Sequence, residues 1–221
     1  VTDDPILARA QLRAHAARVS GRVGGGAGPG RRAAVLVLFG VLDRSPARRT
    51  GAAVARELDV LLVRRADTLR HHPGEVSFPG GRVDPEDDGV VGAALREAKE
   101  ETGLDPAGVE VLGTLPDQAL VASGHVVTPV LAWWARPSPV RVVDHGESAA
   151  VFRAPVADLL DPAARRTATL TFAGTVRRTP AFLLGDHLVW GFTALVLDRL
   201  FDDLGWAVPW DADRTLEIRR A

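Results

Sequence analysis

Cysteine, methionine and tyrosine are all absent from the 221 residues of this chain, and aromatic side chains make up only 5% of it. Without cysteine there is neither a disulfide framework nor a thiolate metal site. An excess of either charge is also missing: 27 Lys and Arg face 28 Asp and Glu, a formal net charge of -1. That balance argues against a general nucleic-acid or membrane binder. Long apolar runs are missing too. The longest, residues 33–42, is broken by Gly40 and falls well short of the roughly 20 residues that span a bilayer. The N-terminal stretch lacks the basic, apolar and small-residue succession of a signal peptide, so a cytoplasmic enzyme is the default expectation. The length suits one domain with a substantial core.

What is present centres on residues 80–104, GGRVDPEDDGVVGAALREAKEETGL. In a helix, positions i, i+3 and i+4 share a face, so Glu97 stands beside both Glu100 and Glu101. Like charges at that spacing destabilise a helix, and stability gives no reason to keep them. Three carboxylates on one face do suit a hard divalent cation such as Mg2+ or Mn2+, which prefers oxygen ligands. At about 100° per residue, Val91, Ala94, Leu95, Ala98 and Thr102 form a stripe on the other side, able to seat the helix on a core and aim the acids outward. Gly80 and Gly81 allow backbone to approach a ligand closely, and Gly103 is placed to end the helix. A solvated acidic helix balanced by Arg96 and Lys99 is the competing reading of the same residues.

The rest of the chain reads as α+β. Helical spacing covers residues 5–19, followed by the glycine-rich linker composition of residues 21–30, which makes the first helix an appendage to the core. Strands are expected over residues 33–42, 59–64, 75–78, 109–115, 126–135, 167–172 and 181–189. Helices are expected over 90–102 and 190–204, the latter built on Phe192, Leu195, Val196, Leu200 and Leu204. Residues 43–57 read as an exposed loop, and the segment after Gly205 carries no clear signal. The organisation is thus residues 1–32 as helix and linker, 33–205 as the main domain, and 206–221 as a tail. No internal repeat is present.

Residues 96–104, REAKEETGL, resemble the second half of the motif G-x5-E-x7-R-E-U-x-E-E-x-G-U of the Nudix hydrolases, with Ala98 small for an apolar U position. The first half departs from the motif. Counting back from Arg96 reaches Asp88, whereas counting forward from Gly81 reaches Asp87, so the loop carries one extra residue and either aspartate could fill the earlier acidic position. Upstream, LLVRRADTLRHHPGEVSFPGG, residues 61–81, is similar to the element L-L-T-x-R-[SA]-x3-R-x3-G-x3-F-P-G-G of coenzyme A pyrophosphatases within that family, with Val63 in place of Thr. Segments at residues 123–130, 147–152 and 189–194 resemble later parts of the same group.

The resemblance implies an α/β/α sandwich with a mixed sheet, and a metal-dependent hydrolase cleaving the pyrophosphate of coenzyme A or its thioesters. By similarity, Glu97 and Glu101 would ligate Mg2+ or Mn2+ directly, Glu100 directly or through water, and the Gly80 carbonyl would add an oxygen. Arg96 would orient a carboxylate of the helix or loop by bidentate contact. Glu147, preferred over Asp117 and Asp144, would act as base or extra ligand. Arg65 and Arg70 would meet phosphate groups, with His72 adding a hydrogen bond. The partner is a small nucleotide, not nucleic acid or membrane, and monomer and homodimer both remain open. Another nucleoside diphosphate derivative, such as ADP-ribose or a dinucleotide, is the alternative substrate, and a non-catalytic binding module is the alternative class.

Overall fold

Helix propensity and apolar runs produce sixteen main elements in the computed structural model, which describes residues 5–20, 30–41, 57–69, 72–120, 124–172 and 175–218. They are α1 (Pro5–Val19), β1 (Arg31–Val41), β2 (Leu58–Arg65), β3 (Val76–Ser77), β4 (Gly80–Arg82), α2 (Gly89–Thr102), β5 (Val109–Thr114), β6 (Gln118–Leu120) and β7 (His125–Trp134). Then follow β8 (Ser148–Pro155), α3 (Val156–Leu160), β9 (Arg165–Phe172), β10 (Thr175–Leu184), β11 (His187–Val189), α4 (Gly191–Asp203) and β12 (Thr215–Glu217). Arg70 lies outside the described residues, as do residues 21–29 of the expected linker and 43–56 of the expected loop.

The larger sheet has eight strands, with the path β3-β2-β1-β7-β5 and with β8, β4 and β6 pairing β2, β1 and β7. It is mixed: β1 runs parallel to β7 and antiparallel to β2. Alternation along β1 divides its side chains between two faces. Ala34, Leu36 and Leu38 meet Ala93, Ala94 and Ala98 of α2, while Val37 and Phe39 join a second core with residues of α1, α3 and α4. Helices therefore cover both faces, as the expected sandwich requires. The alanine-rich face of α2 seats the helix close to the sheet, which makes Ala98 an asset for packing where a bulkier residue would hold the helix off. A second, four-stranded sheet runs β11-β10-β9-β12. No helix among the described residues is long and apolar enough to cross a membrane.

Three expectations are corrected. The first helix is no appendage: Ala8, Leu12 and Ala16 are fully buried, and Gln11 Oε1 accepts a 2.8 Å bond from Trp206 Nε1. Residues 206–221 are not all a loose tail, since Trp206 is buried in the core and β12 extends the second sheet beside β9. The strand expected over residues 181–189 is a hairpin, β10 turning into β11 through Gly185-Asp186, a glycine-led two-residue turn of the kind hairpins favour. In α4, Leu195 is 48% exposed, unlike Val196 and Leu200, which are buried as the helical pattern requires.

Candidate active site

The acidic helix begins after Asp88 and ends at Gly103, whose N–H bonds Lys99 O in a left-handed C-cap. On its outward face Arg96 is the hub. Its Nε and Nη2 bond the two oxygens of Asp87 at 2.8 and 3.0 Å. Its Nη1 bonds Glu97 Oε1 at 3.1 Å and Glu100 Oε2 at 2.9 Å. Nη2 also donates to Arg82 O at 3.1 Å and stands 3.5 Å from Asp84. This fork-to-fork contact ties the loop before the helix to the helix itself.

The extra loop residue is thereby located. Asp87, with a side chain only 5% exposed, is the aspartate that meets Arg96, while Asp88 sits at the helix N-cap without a side-chain capping bond. Arg96 holds the Asp87 carboxyl below the usual carboxylate range, helped by the Asp84 amide. The same acid partners raise the already high pKa of Arg96. The Arg96 site is therefore charged at any working pH.

Glu101 faces another way. Its Oε2 accepts a 3.1 Å bond from Gly80 N, the one hydrogen-bond partner of that carboxylate among the described residues. Burial pushes its pKa up to about 7, opposed by the Gly80 bond and by Arg65, and reinforced by Glu97 and Glu147. Glu97 is also raised, by burial first, against the pull of Arg96. Arg65 and Glu147, far apart in sequence, thus reach the surroundings of Glu101. A bulge explains how: the β2–β8 register shifts between Arg64 and Arg65, setting Arg65 opposite Ser148, and Ala66 N bonds Glu147 O at 2.9 Å. Glu147 itself is exposed, and Arg65 Nε is buried without a hydrogen-bond partner.

Close approach explains the glycine pair. A Cβ on Gly81 would stand 2.5 Å from the Glu97 carboxylate, and one on Gly80 would stand 2.3 Å from Ala34 O. Any side chain here would displace either the acid or the strand that supports it. His72 does not join this group, because its Nδ1 lies 2.9 Å from Glu75 Oε2 on an exposed turn.

The three helix glutamates share a face but do not meet at one point. Among the described residues no three acids or histidines converge closely enough to hold a metal between them. The reason is local: Arg96 draws Glu97 and Glu100, while the Gly80 amide draws Glu101. Even so, the donor set fits a hard divalent cation. It consists of oxygens, and Glu101 is a half-enclosed carboxylate with a single neutral donor, an arrangement that an added cation would relieve. Sequence reading had no means of seeing Asp84 or the choice of Asp87, because both depend on how the loop folds back on Arg96.

The NUDIX domain family matches residues 45–172. A protein of Shigella flexneri serotype 5b, named uncharacterized Nudix hydrolase NudL, is 35% identical over 170 residues, covering 74% of this chain and 88% of the relative. A protein of the same name from Cronobacter sakazakii is 38% identical over 149 residues, covering 67% of this chain and 77% of the relative. Among solved structures, a MutT/nudix family protein from Enterococcus faecalis superposes with a TM-score of 0.51, spanning 90% of this chain and 69% of its own at 15% identity. At that identity the likeness is one of fold.

Proposed function

The chain belongs to the Nudix hydrolases, and from that premise we propose that it is a divalent-metal-dependent pyrophosphohydrolase of coenzyme A or its thioesters. Water is added across the pyrophosphate, giving 3',5'-ADP and 4'-phosphopantetheine or its acyl form. The observation that carries this reading is the gathering of Arg65 and Glu147 around Glu101, beside the Arg96-anchored acids. One neighbourhood then holds cation ligands, a candidate base and a phosphate-seeking guanidinium. The resemblance of residues 61–81 to the element of coenzyme A pyrophosphatases supports including Arg65 in that set.

In this reading Glu97 and Glu101, with Glu100 and the Gly80 carbonyl, would hold Mg2+ or Mn2+. Nudix hydrolases generally use divalent metal ions, and such a cation supplies charge neutralisation at the phosphoryl oxygens and a lowered pKa for water. Arg96 keeps the loop and helix carboxylates oriented. Glu147, exposed at the edge of this group, would accept a proton from the attacking water. Arg65 and Arg70 meet phosphate oxygens, and His72 stands at the periphery of the same element.

A substrate panel tests the proposal. With Mg2+ or Mn2+ present, coenzyme A and acyl-coenzyme A are expected to be hydrolysed faster than ADP-ribose or a diadenosine polyphosphate. Brisk hydrolysis of ADP-ribose with none of coenzyme A would move the assignment to another nucleoside diphosphate derivative. No hydrolysis of any member would favour a binding module.

A further inference from the structure

The helices α1 and α4, with β6 and the turn before it, enclose a cleft of about 460 Å³. It lies on the face of the large sheet opposite α2. The β7 residues Val130 and Ala132 meet α2, whereas Leu131 and Trp133 belong to the core shared with α1 and α4, and the cleft is reached by Pro129, which alternates with the latter set. Its walls include Val19, Leu115, Pro116, Phe192 and Val196, together with the exposed Leu195. Both helices that frame it stand outside residues 45–172, the span matched by the family, so the cleft is built largely from what this chain adds to that domain.

Two guanidinium groups line the mouth. Arg18 bonds His15 Nδ1 at 2.9 Å, and Arg199 has no hydrogen-bond or ion-pair partner among the described residues. Two acids also line the cleft, and of these Asp198 alone has a charged partner, which leaves two guanidinium groups facing one carboxylate. Asp198 is engaged by Arg165, and Asp203 stands 3.9 Å from Nε2 of the buried His15. Burial, with Arg18 and Arg199, lowers the His15 pKa against the pull of Asp203, so the ring adds no positive charge at neutral pH and the two arginines supply what is available. Apolar walls under a cationic rim suit a molecule with an apolar body and one acidic group.

We infer that this cleft binds a small organic anion, its apolar body lying between α1 and α4 and its acidic group held by Arg18 and Arg199. The inference stands apart from the proposed reaction, since cleft and glutamates occupy opposite faces of the sheet, and its test needs no turnover. The full chain is titrated with the fluorescent anion 8-anilino-1-naphthalenesulfonate and with its uncharged relative N-phenyl-1-naphthylamine. The anion should bind saturably at one site, and Arg18→Gln and Arg199→Gln should each weaken it by about ten-fold, the loss of one charge-assisted contact. Binding of the uncharged probe should change little in both variants. Ala119→Trp, placed at an exposed lining residue so that folding is spared, should block both probes, with an unchanged thermal melt excluding unfolding. Displacement by adenosine 5'-monophosphate would mark a nucleotide ligand, and displacement by octanoate an acyl one. Absence of saturable anion binding, or anion binding indifferent to both arginine substitutions, would overturn the inference.

Discussion

Arg96 bonds Asp87 through two parallel contacts and reaches Glu97 and Glu100 with the remaining nitrogen, a geometry an ammonium group does not copy. Asp87→Asn should therefore lower kcat/KM by about ten-fold to a hundred-fold, the range typical of residues that orient ligands, whereas Asp88→Asn should leave it nearly unchanged. Steady-state kinetics on the two variants decides between the neighbours. Glu101 yields a prediction with a definite sign in pH. Its pKa is raised from 4.5 to about 7 in the fold, so the folded, metal-free protein binds the proton more tightly than the unfolded chain does. Its contribution to stability is then greatest below pH 4.5 and declines as pH rises through about 7. Glu101→Gln should raise the melting temperature of the metal-free protein by a few degrees at alkaline pH and not at acidic pH. Asp59, also pushed up to about 7 by burial against Arg153, titrates in both proteins, and their difference isolates Glu101. At Arg65, replacement by Ala should raise KM for coenzyme A far more than for dephospho-coenzyme A if the side chain grips the 3'-phosphate. Equal losses on both would place it at the pyrophosphate. The acid face itself was legible in the sequence, because helical spacing alone brings Glu97, Glu100 and Glu101 together. Arg65 and Glu147 were offered by the family resemblance alone and not by spacing, since they come near Glu101 through a strand bulge and a long-range backbone bond.

At the scale of elements, α2 was readable because an apolar stripe, an acidic face and a terminal glycine all agreed within fifteen residues or so. The burial of α1 was hidden for a physical reason. Its inward positions, Ala8, Leu12 and Ala16, are mostly small, and arginines interrupt the pattern, so the helix has little apolar contrast between faces. Its anchoring depends on partners remote in sequence: Trp206 reaches Gln11, and Glu110 pairs with Arg9 and Arg13. Those ion pairs, open to solvent on their arginine side, contribute little, and the buried leucine carries more. Leu12→Ala should destabilise the protein by about 2–5 kcal/mol in urea denaturation, the range for a leucine deleted from a close-packed core. A change under about 0.5 kcal/mol, typical of a surface site, would return α1 to the status of an appendage. The β10–β11 hairpin has the pattern of one strand because apolar residues stand on both sides of a short break, Gly185, Asp186 and His187.

For the molecule as a whole, the two faces of one sheet differ in what they present. The α2 face presents carboxylates and arginines that the sequence motifs already marked, and the opposite face carries the α1–α4 cleft, invisible in sequence because its walls come from three stretches far apart in the chain. The central claim is that the α2 acids form a metal-dependent centre for coenzyme A hydrolysis. Its most direct test is to incubate the protein and Glu101→Gln with coenzyme A and saturating Mg2+ or Mn2+, and to identify the products by chromatography and mass spectrometry. The account predicts 3',5'-ADP and 4'-phosphopantetheine from the parent protein only when metal is present, with turnover reduced by orders of magnitude in the folded variant. Equal turnover by the two proteins, or product formed at the same rate in the presence of a chelator, would contradict it.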